Sequence, residues 1–424
     1  MKLLLKDIRY VDLDREEVKK ASIGIEDGYI KYIGDIPEDF SSDEIIDGRD
    51  KVAIPGIFNA HTHIPMTILR NYSDDQPLKS WLNDYIWPAE AKLSEEDIYW
   101  GALLGLSELM KFGITCFVDM YFYIDRIGEA LEESGMRGFI SRGLIGNDDP
   151  DFEQLKETED FIKKWDGRGN GRIRGMVGPH APYTCPPEYL VKSAELAEKY
   201  GKSIHIHLSE SDDEVEESIR KYGMTPTEHL EKLGIFKTNT LAAHCVQLTD
   251  RDIEILAENR VNVLYNPVSN MKLGNGFARI KDLRESGVNI AIGTDGCASN
   301  NNLSILEEMK IASLVNKGVE KSPTFISAAE AVRMATVNGI KAVGLEKELG
   351  SIQTGKKADI TVLNMDKVNT VPENSIISSL AYSVQSDNIY STIVDGKVLY
   401  KDGEFNTLDI EKIKYNVRKI SQKI

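Results

Sequence analysis

Four short fragments each follow an apolar, strand-like run: His61-Thr-His63, His207-Leu-Ser-Glu210, Ala243-His244-Cys245 and Gly293-Thr-Asp295-Gly296. Three imidazoles and a carboxylate form a donor set suited to a borderline divalent ion such as zinc, which sharpens a bound water toward hydroxide near neutral pH. The chemistry expected of them together is single-metal hydrolysis. Residues two apart in an extended segment share a face, so His61 and His63 can grip one ion. His205-Ile-His207 repeats that spacing, but His205 lies deeper along its run. His207 therefore reads as a ligand, and His205 as an interior residue or one standing behind a ligand. Asp295 is either a turn aspartate or a functional carboxylate, and its place at a strand end favours the second. Glu210 either reaches a bound water or ring nitrogen, or merely starts a helix before Asp212-Asp213-Glu214, an acidic run that reads as a solvated face. His244 is a core histidine or part of the site. His229, in a polar helical stretch, reads as surface, and Cys245 and Cys297 as small buried residues.

The elements that must position these groups alternate strand and helix. Candidate strands are Val52–Ala60, Ile114–Asp119, Gly138–Arg142, Ile173–Gly178, Ser203–Leu208, Thr240–Ala243, Val261–Tyr265 and Asn289–Thr294. Helical patterns between or after them include Glu95–Lys111, Pro187–Tyr200, Asp250–Asn259 and Leu303–Asn316. Eight strands with intervening helices predict an α/β chain built on a (β/α)8 TIM-type barrel. A doubly wound open sheet is the alternative, but no GxGxxG follows the early strands. Active groups in such barrels sit at the C-terminal strand ends. His61, His63, His180, His207, His244 and Asp295 all fall there. The loop after the first strand is aromatic, with Trp81, Tyr85 and Trp87 before Glu90. It reads as a plug on the barrel mouth and as an apolar wall for a planar ligand, with Glu90 accepting from hydroxyls. Arg142, ending the third strand, is a salt-bridged rim residue or an anion receptor.

Both chain ends carry a hairpin signal, Asp27-Gly28 and Asp395-Gly396, each between alternating apolar residues. They predict a small β-sandwich domain assembled from residues 1–53 and 345–424, the last twenty or so being a polar tail, around a barrel of residues 54–344.

Composition narrows the partners. Against 51 Lys and Arg stand 68 Asp and Glu, a net charge of −17, which disfavours nucleic-acid backbones and anionic membranes. The amino-terminal stretch lacks an apolar core of signal-peptide length, and no segment approaches transmembrane length. Four scattered cysteines without a CxxC pair make a reducing cytoplasm the expectation. A small-molecule substrate fits, and a homo-oligomer is compatible with it.

At these residues the chain resembles the amidohydrolase superfamily, and more narrowly its 5′-methylthioadenosine/S-adenosylhomocysteine deaminases. The resemblance spans essentially the whole chain: Pro55-Gly-Ile-Phe-Asn-Ala-His-Thr-His63, Trp87-Pro-Ala-Glu90, Gly178-Pro-His-Ala-Pro182, His205-Ile-His-Leu-Ser-Glu210, Asn266-Pro-Val-Ser-Asn270, Gly293-Thr-Asp-Gly-Cys-Ala-Ser-Asn-Asn301 and Gly355-Lys-Lys-Ala-Asp359. It implies His61, His63, His207 and Asp295 as ligands of one divalent metal, zinc by preference. It implies Glu90, Arg142 and His180 as substrate contacts, Glu210 and Asp295 as proton handlers that also meet the substrate, and His244 as the group that stabilises the attacking oxygen. A second arginine for an amino-acid tail has two candidates, Arg168 and Arg172. Ser304 departs from the family pattern, which has an acidic residue there, and could instead cap the following helix. Two-metal relatives bridge their ions with a modified lysine at the end of the fourth strand, where this chain has Gly178-Pro-His180.

The function so implied is hydrolytic deamination of the adenine ring in S-adenosylhomocysteine, 5′-methylthioadenosine, 5′-deoxyadenosine or adenosine, giving the inosine analogue and ammonia. One alternative keeps the machinery and takes a free base or a triazine, as guanine or cytosine deaminases and chlorohydrolases do. Glu90 speaks against it, since a ribose-binding carboxylate is useless to a free base. Another is a non-catalytic assembly protein, a class that typically loses ligands retained here.

Overall fold

The computed structural model describes residues 1–424. Eight parallel strands close into a barrel: Ile57–Thr62, Ile114–Tyr121, Arg137–Leu144, Ile173–Pro179, Ile204–Leu208, Thr240–His244, Asn262–Tyr265 and Asn289–Ile292. The eighth meets the first where the Thr294 and Asp295 N–H groups donate to the His61 carbonyl at 3.1 and 2.9 Å. Alternate side chains point inward, and Phe58, Cys116, Val118, Phe139, Met176, Leu241, Leu264 and Ala291 belong to a separate interior cluster of 13 buried residues. Outward-facing strand residues and the helices share the larger core. This is the two-shelled packing that a barrel of near-continuous apolar strands requires.

The apolar run Val52–Ala60 serves two sheets. Lys51–Pro55 joins a sheet built from the chain ends, and the barrel strand begins at Ile57. Gly56 marks the crossing. A Cβ there would lie 2.0 Å from the Thr115 hydroxyl, so only glycine lets the chain pass. Lys51–Pro55 pairs in parallel with Lys2–Asp12 and antiparallel with Ile360–Asn364, which stitches the two ends together. The complete sheet has nine strands, and both expected hairpins are present in it. Asp27, Gly28, Asp395 and Gly396 all adopt positive φ, the backbone a two-residue hairpin turn demands. Its apolar face, including Leu3, Leu5, Ile8, Ile23, Ile25, Ile360 and Val362, forms its own core.

Three expectations need correction. The carboxyl-terminal stretch is a helix, Ile410–Ile420, whose Ile413, Val417 and Ile420 are buried, and the helix lies against Glu95–Lys111. His229 is buried, its ring stacked on Tyr222 at 4.0 Å, because its helix Pro226–Leu233 turns that face onto helix Asp212–Tyr222. Glu214 is also buried rather than solvated, for the reason given below. Ser304 does cap its helix, Ile305–Val319, by accepting from the Glu307 N–H. All four cysteines are free and buried. No helix is long and apolar enough to cross a membrane.

Candidate active site

Four strand exits converge at the C-terminal mouth of the barrel. His63 Nε2 lies 3.4 Å from His207 Nε2 and 3.2 Å from Asp295 Oδ1, and His61 Nε2 lies 3.4 Å from that same oxygen. Ligands held 2.0–2.1 Å from a tetrahedral ion stand about 3.3–3.4 Å apart, so this spacing fits one ion. Two donor clusters overlap at His61, one with His63 and Asp295, the other with His207 and His244. His61 Nε2 is buried without a hydrogen-bond partner, an orphan lone pair that a cation would satisfy.

The outer nitrogens of these rings are tied down. His63 Nδ1 donates to the Met120 carbonyl at 2.5 Å and His207 Nδ1 to the His180 carbonyl at 2.7 Å. A carbonyl only accepts, so both rings carry a proton on Nδ1 and, when neutral, present an unprotonated Nε2 inward. His244 Nδ1 meets Asn270 Oδ1 at 2.8 Å, which turns its Nε2 toward Glu210, 3.7 Å away. Asp295 Oδ2 accepts from Ser269 and Ser299 at 2.7 and 2.8 Å, and Oδ1 from the Gly296 N–H at 2.8 Å. Burial alone would raise this carboxyl, but the His61 and His63 imidazoles that face it outweigh burial and hold it well below the usual carboxylate range.

Backbone strain collects at the same exits. Ser209, His244, Cys245 and Asp295 all have φ between 49° and 72°, at a cost of about 1–2 kcal/mol each for residues with a Cβ. The Cys245 N–H bonds back to the Ala243 carbonyl, so His244 is the centre of a three-residue turn that leaves its ring at the barrel mouth. The glycines flanking Thr294-Asp295 serve proximity rather than turning. A Cβ on Gly293 would stand 2.7 Å from the His61 backbone nitrogen, and one on Gly296 2.5 Å from Met66 Sδ.

Above this cage a cleft opens at the mouth of the barrel. Its wall holds His63, Glu90, Arg142, His180, His207, Glu210, His244 and Asp295, with Trp81 and Trp87 on the apolar side. His61 lies beneath them. The residues singled out in the sequence are thus brought together, except that Tyr85 points to solvent. Glu90 Oε1 accepts from the Tyr121 hydroxyl at 2.6 Å, and burial pushes its pKa up to about 7 against that hydrogen bond. Glu210 Oε1 accepts from Asn275 at 2.9 Å, and burial raises this carboxyl too. Arg142 donates to Glu157 at 3.0 Å and to the Gly143 carbonyl at 2.6 Å. It is the one arginine on the cleft wall. Arg168 and Arg172 precede the fourth strand, at the opposite end of the barrel. Arg168 stacks on Trp165 and Arg172 donates to the Met136 carbonyl, so neither reaches the cleft.

Several residues at the site carried no sequence reading of their own. Ser269, Asn270 and Ser299 orient Asp295 and His244, and all three lie inside the polar runs Asn266–Asn270 and Gly293–Asn301. Tyr121 closes a long apolar strand. Glu214, which the sequence reading puts on a solvated face, accepts from the Ser209 and Glu210 N–H groups at 2.9 and 2.8 Å, and so holds the strained turn that carries Glu210.

Residues 52–399 match the model of the amidohydrolase family. A 5-methylthioadenosine/S-adenosylhomocysteine deaminase of Caldanaerobacter subterraneus subsp. tengcongensis is 47% identical over 100% of this chain and 99% of its own. One from Thermoanaerobacter pseudethanolicus is 46% identical, over 99% and 98%. Among solved structures, an adenosine deaminase from Xanthomonas campestris with bound zinc superposes with a TM-score of 0.93 at 31% identity, over 99% of this chain and 98% of that one. An atrazine chlorohydrolase from Arthrobacter aurescens, also with zinc, gives 0.91 at 26% identity, over 99% and 100%. The chain belongs to the amidohydrolase family and, within it, to the 5-methylthioadenosine/S-adenosylhomocysteine deaminases, as a hydrolase acting on C–N bonds.

Proposed function

We propose that the chain deaminates the adenine ring of 5′-modified adenosines, S-adenosylhomocysteine and 5′-methylthioadenosine foremost, with 5′-deoxyadenosine and adenosine within reach. Water adds to C6, and the exocyclic nitrogen leaves as ammonia, giving the inosine analogue. One zinc ion per chain, held by His61, His63, His207 and Asp295, supplies Lewis-acid activation of that water when bound. Asp295 takes the proton that the water gives up and passes it to the departing exocyclic nitrogen. Glu210 protonates N1, so negative charge need not build on the ring, and regains its own proton from the new C6 hydroxyl, while His244 hydrogen-bonds the attacking oxygen. Glu90 receives the ribose hydroxyls, His180 the base, and Arg142 the carboxylate of an amino-acid tail where the substrate has one.

The observation that carries this reading is the pairing of two carboxyls on one cleft wall with the imidazole cage: Glu210 beside His244, and Glu90 held by Tyr121. The first suits proton delivery to a ring nitrogen. The second suits a sugar, and a free base or triazine would leave it unused. The test is to incubate the purified protein with the four nucleosides, guanine, cytosine and a chlorotriazine while following ammonia and chloride release. Metal content is measured on the same sample. Ammonia from the nucleosides with one tightly bound ion per chain is expected. Turnover confined to the free bases or the triazine, or two tight ions per chain, would overturn the assignment.

A further inference from the structure

His61 is the buried member of the cage, and its outer nitrogen meets another imidazole rather than a carbonyl. His61 Nδ1 lies 2.8 Å from His205 Nε2, and His205 Nδ1 lies 3.2 Å from the Ser141 hydroxyl. That hydroxyl stands 2.9 Å from the Asp119 carbonyl. Protons along this chain can be assigned from its far end. The carbonyl can only accept, so the single hydroxyl proton of Ser141 points at it. Toward His205 the hydroxyl is then an acceptor, so His205 Nδ1 carries a proton. Both His61 and His205 are 0% exposed, and no carboxylate touches the His205 ring nitrogens to support a second charge. A neutral His205 has its lone pair on Nε2, and His61 must donate to it from Nδ1. The His61 lone pair is thereby forced onto Nε2, the atom left without a partner inside the cage.

From this geometry we infer that His205 is a positioning residue for the metal site: together with Ser141 it fixes the tautomer and ring orientation of His61. The second barrel strand, which supplies no ligand, then orients both imidazoles of His61-Thr-His63. Its Met120 carbonyl acts directly on His63, and its Asp119 carbonyl acts on His61 through Ser141 and His205. An imidazole in this place differs from a carbonyl in one respect that can be tested. It accepts only while it is held in one tautomer, so the hydroxyl two bonds away also matters. The inference rests on the single-metal reading of the site and needs no assumption about the substrate.

The experiment measures zinc dissociation constants by chelator competition, with the visible spectrum of the cobalt-substituted protein as a second readout. Circular dichroism confirms that each variant is folded. His205→Leu removes the acceptor and should weaken zinc about 10–100-fold, the usual cost of losing an orienting partner. His205→Gln can place an amide oxygen near the Nε2 position and should recover most of that loss. Ser141→Ala frees the His205 tautomer and should weaken zinc by at least about threefold, with a shifted cobalt spectrum. Wild-type affinity in His205→Leu, or equal losses in the Leu and Gln variants, would overturn the inference. Should His205→Leu not fold, Ser141→Ala decides alone, and unchanged affinity there rejects the relay. A wild-type protein that binds no zinc would reject the metal reading itself, and the relay with it.

Discussion

At the scale of single residues, each ring facing the cleft has its second nitrogen committed elsewhere, and the carboxyls are differentiated by what touches them. Asp295 is held ionised by two imidazoles, whereas Glu210 is raised by burial and sits beside one, which suits a ligand and a proton donor respectively. Glu210→Gln should therefore keep metal content at the wild-type level while kcat falls about 10²–10⁴-fold, the range for a general acid–base group. Loss of metal would place Glu210 among the ligands, and near-normal turnover would reduce it to a helix-start carboxylate. Glu90 makes a second test through pH. With a pKa near 7, it accepts from ribose hydroxyls more strongly in its ionised form, so ribonucleoside affinity should rise as pH climbs through about 7. A 2′,3′-dideoxy analogue has no hydroxyls there and should show no such rise. Tyr121→Phe removes a hydrogen bond that stabilises the carboxylate, so the inflection should move to higher pH. An unmoved inflection would assign it to another group.

At the scale of elements, the site is built where strands end badly, and this is also where the sequence was least transparent. Barrel strands buried on both faces read as apolar runs, and helix Glu95–Lys111 matches its pattern residue for residue. The donors could be located because each ends such a run. What periodicity cannot carry is the backbone at the exits: nothing in His244-Cys245 announces two successive left-handed residues. Nor does Val52–Ala60 announce a break, because both sheets bury it and Gly56 looks like any other glycine. Acidic runs mislead in the same way. Asp212 and Asp213 stay at the surface, whereas Glu214 turns inward to cap two N–H groups left bare by the strained turn at Ser209. Helix Ile410–Ile420 buries Ile413, Val417 and Ile420 at helical spacing, but its polar majority makes the stretch read as a tail. Glu214→Gln tests the turn. The amide has one acceptor where two are needed and sets an N–H against an N–H, so it should cost about 1–3 kcal/mol in urea unfolding. Since the same turn carries Glu210, kcat should fall as well. Wild-type stability in this variant would mean that water replaces the carboxylate without penalty.

At the scale of the whole molecule, the mouth of the barrel does the chemistry while its floor is locked to the sheet made from the chain ends. The lock is ionic and dry. Arg137, opening the third strand with 2% of its side chain exposed, donates from Nε and a terminal nitrogen to Asp359 at 2.6 and 3.0 Å. Asp359 also accepts from the Asp395 N–H at 2.8 Å, and Asp395 in turn accepts from Asn170 at 2.8 Å and faces Lys357 at 3.5 Å. Gly355-Lys-Lys-Ala-Asp359, though it lies far from any donor, is thus the clasp between the two sheets, and the Asp395-Gly396 turn is its second half. A buried pair of this kind adds little over an apolar pair of the same shape, but removing one partner strands a charge. Arg137→Met should therefore lose about 3–5 kcal/mol of unfolding free energy. Adding Asp359→Leu to it should restore much of that loss, leaving the hydrogen bond to Asp395 as the residue of the cost. Because the network lies at the end of the barrel away from the cleft, the folded fraction of Arg137→Met should keep its zinc affinity and kcat. Equal loss in the single and double variants would show that the clasp acts through packing rather than charge. A fall in kcat without a fall in stability would show that the floor of the barrel is coupled to its mouth.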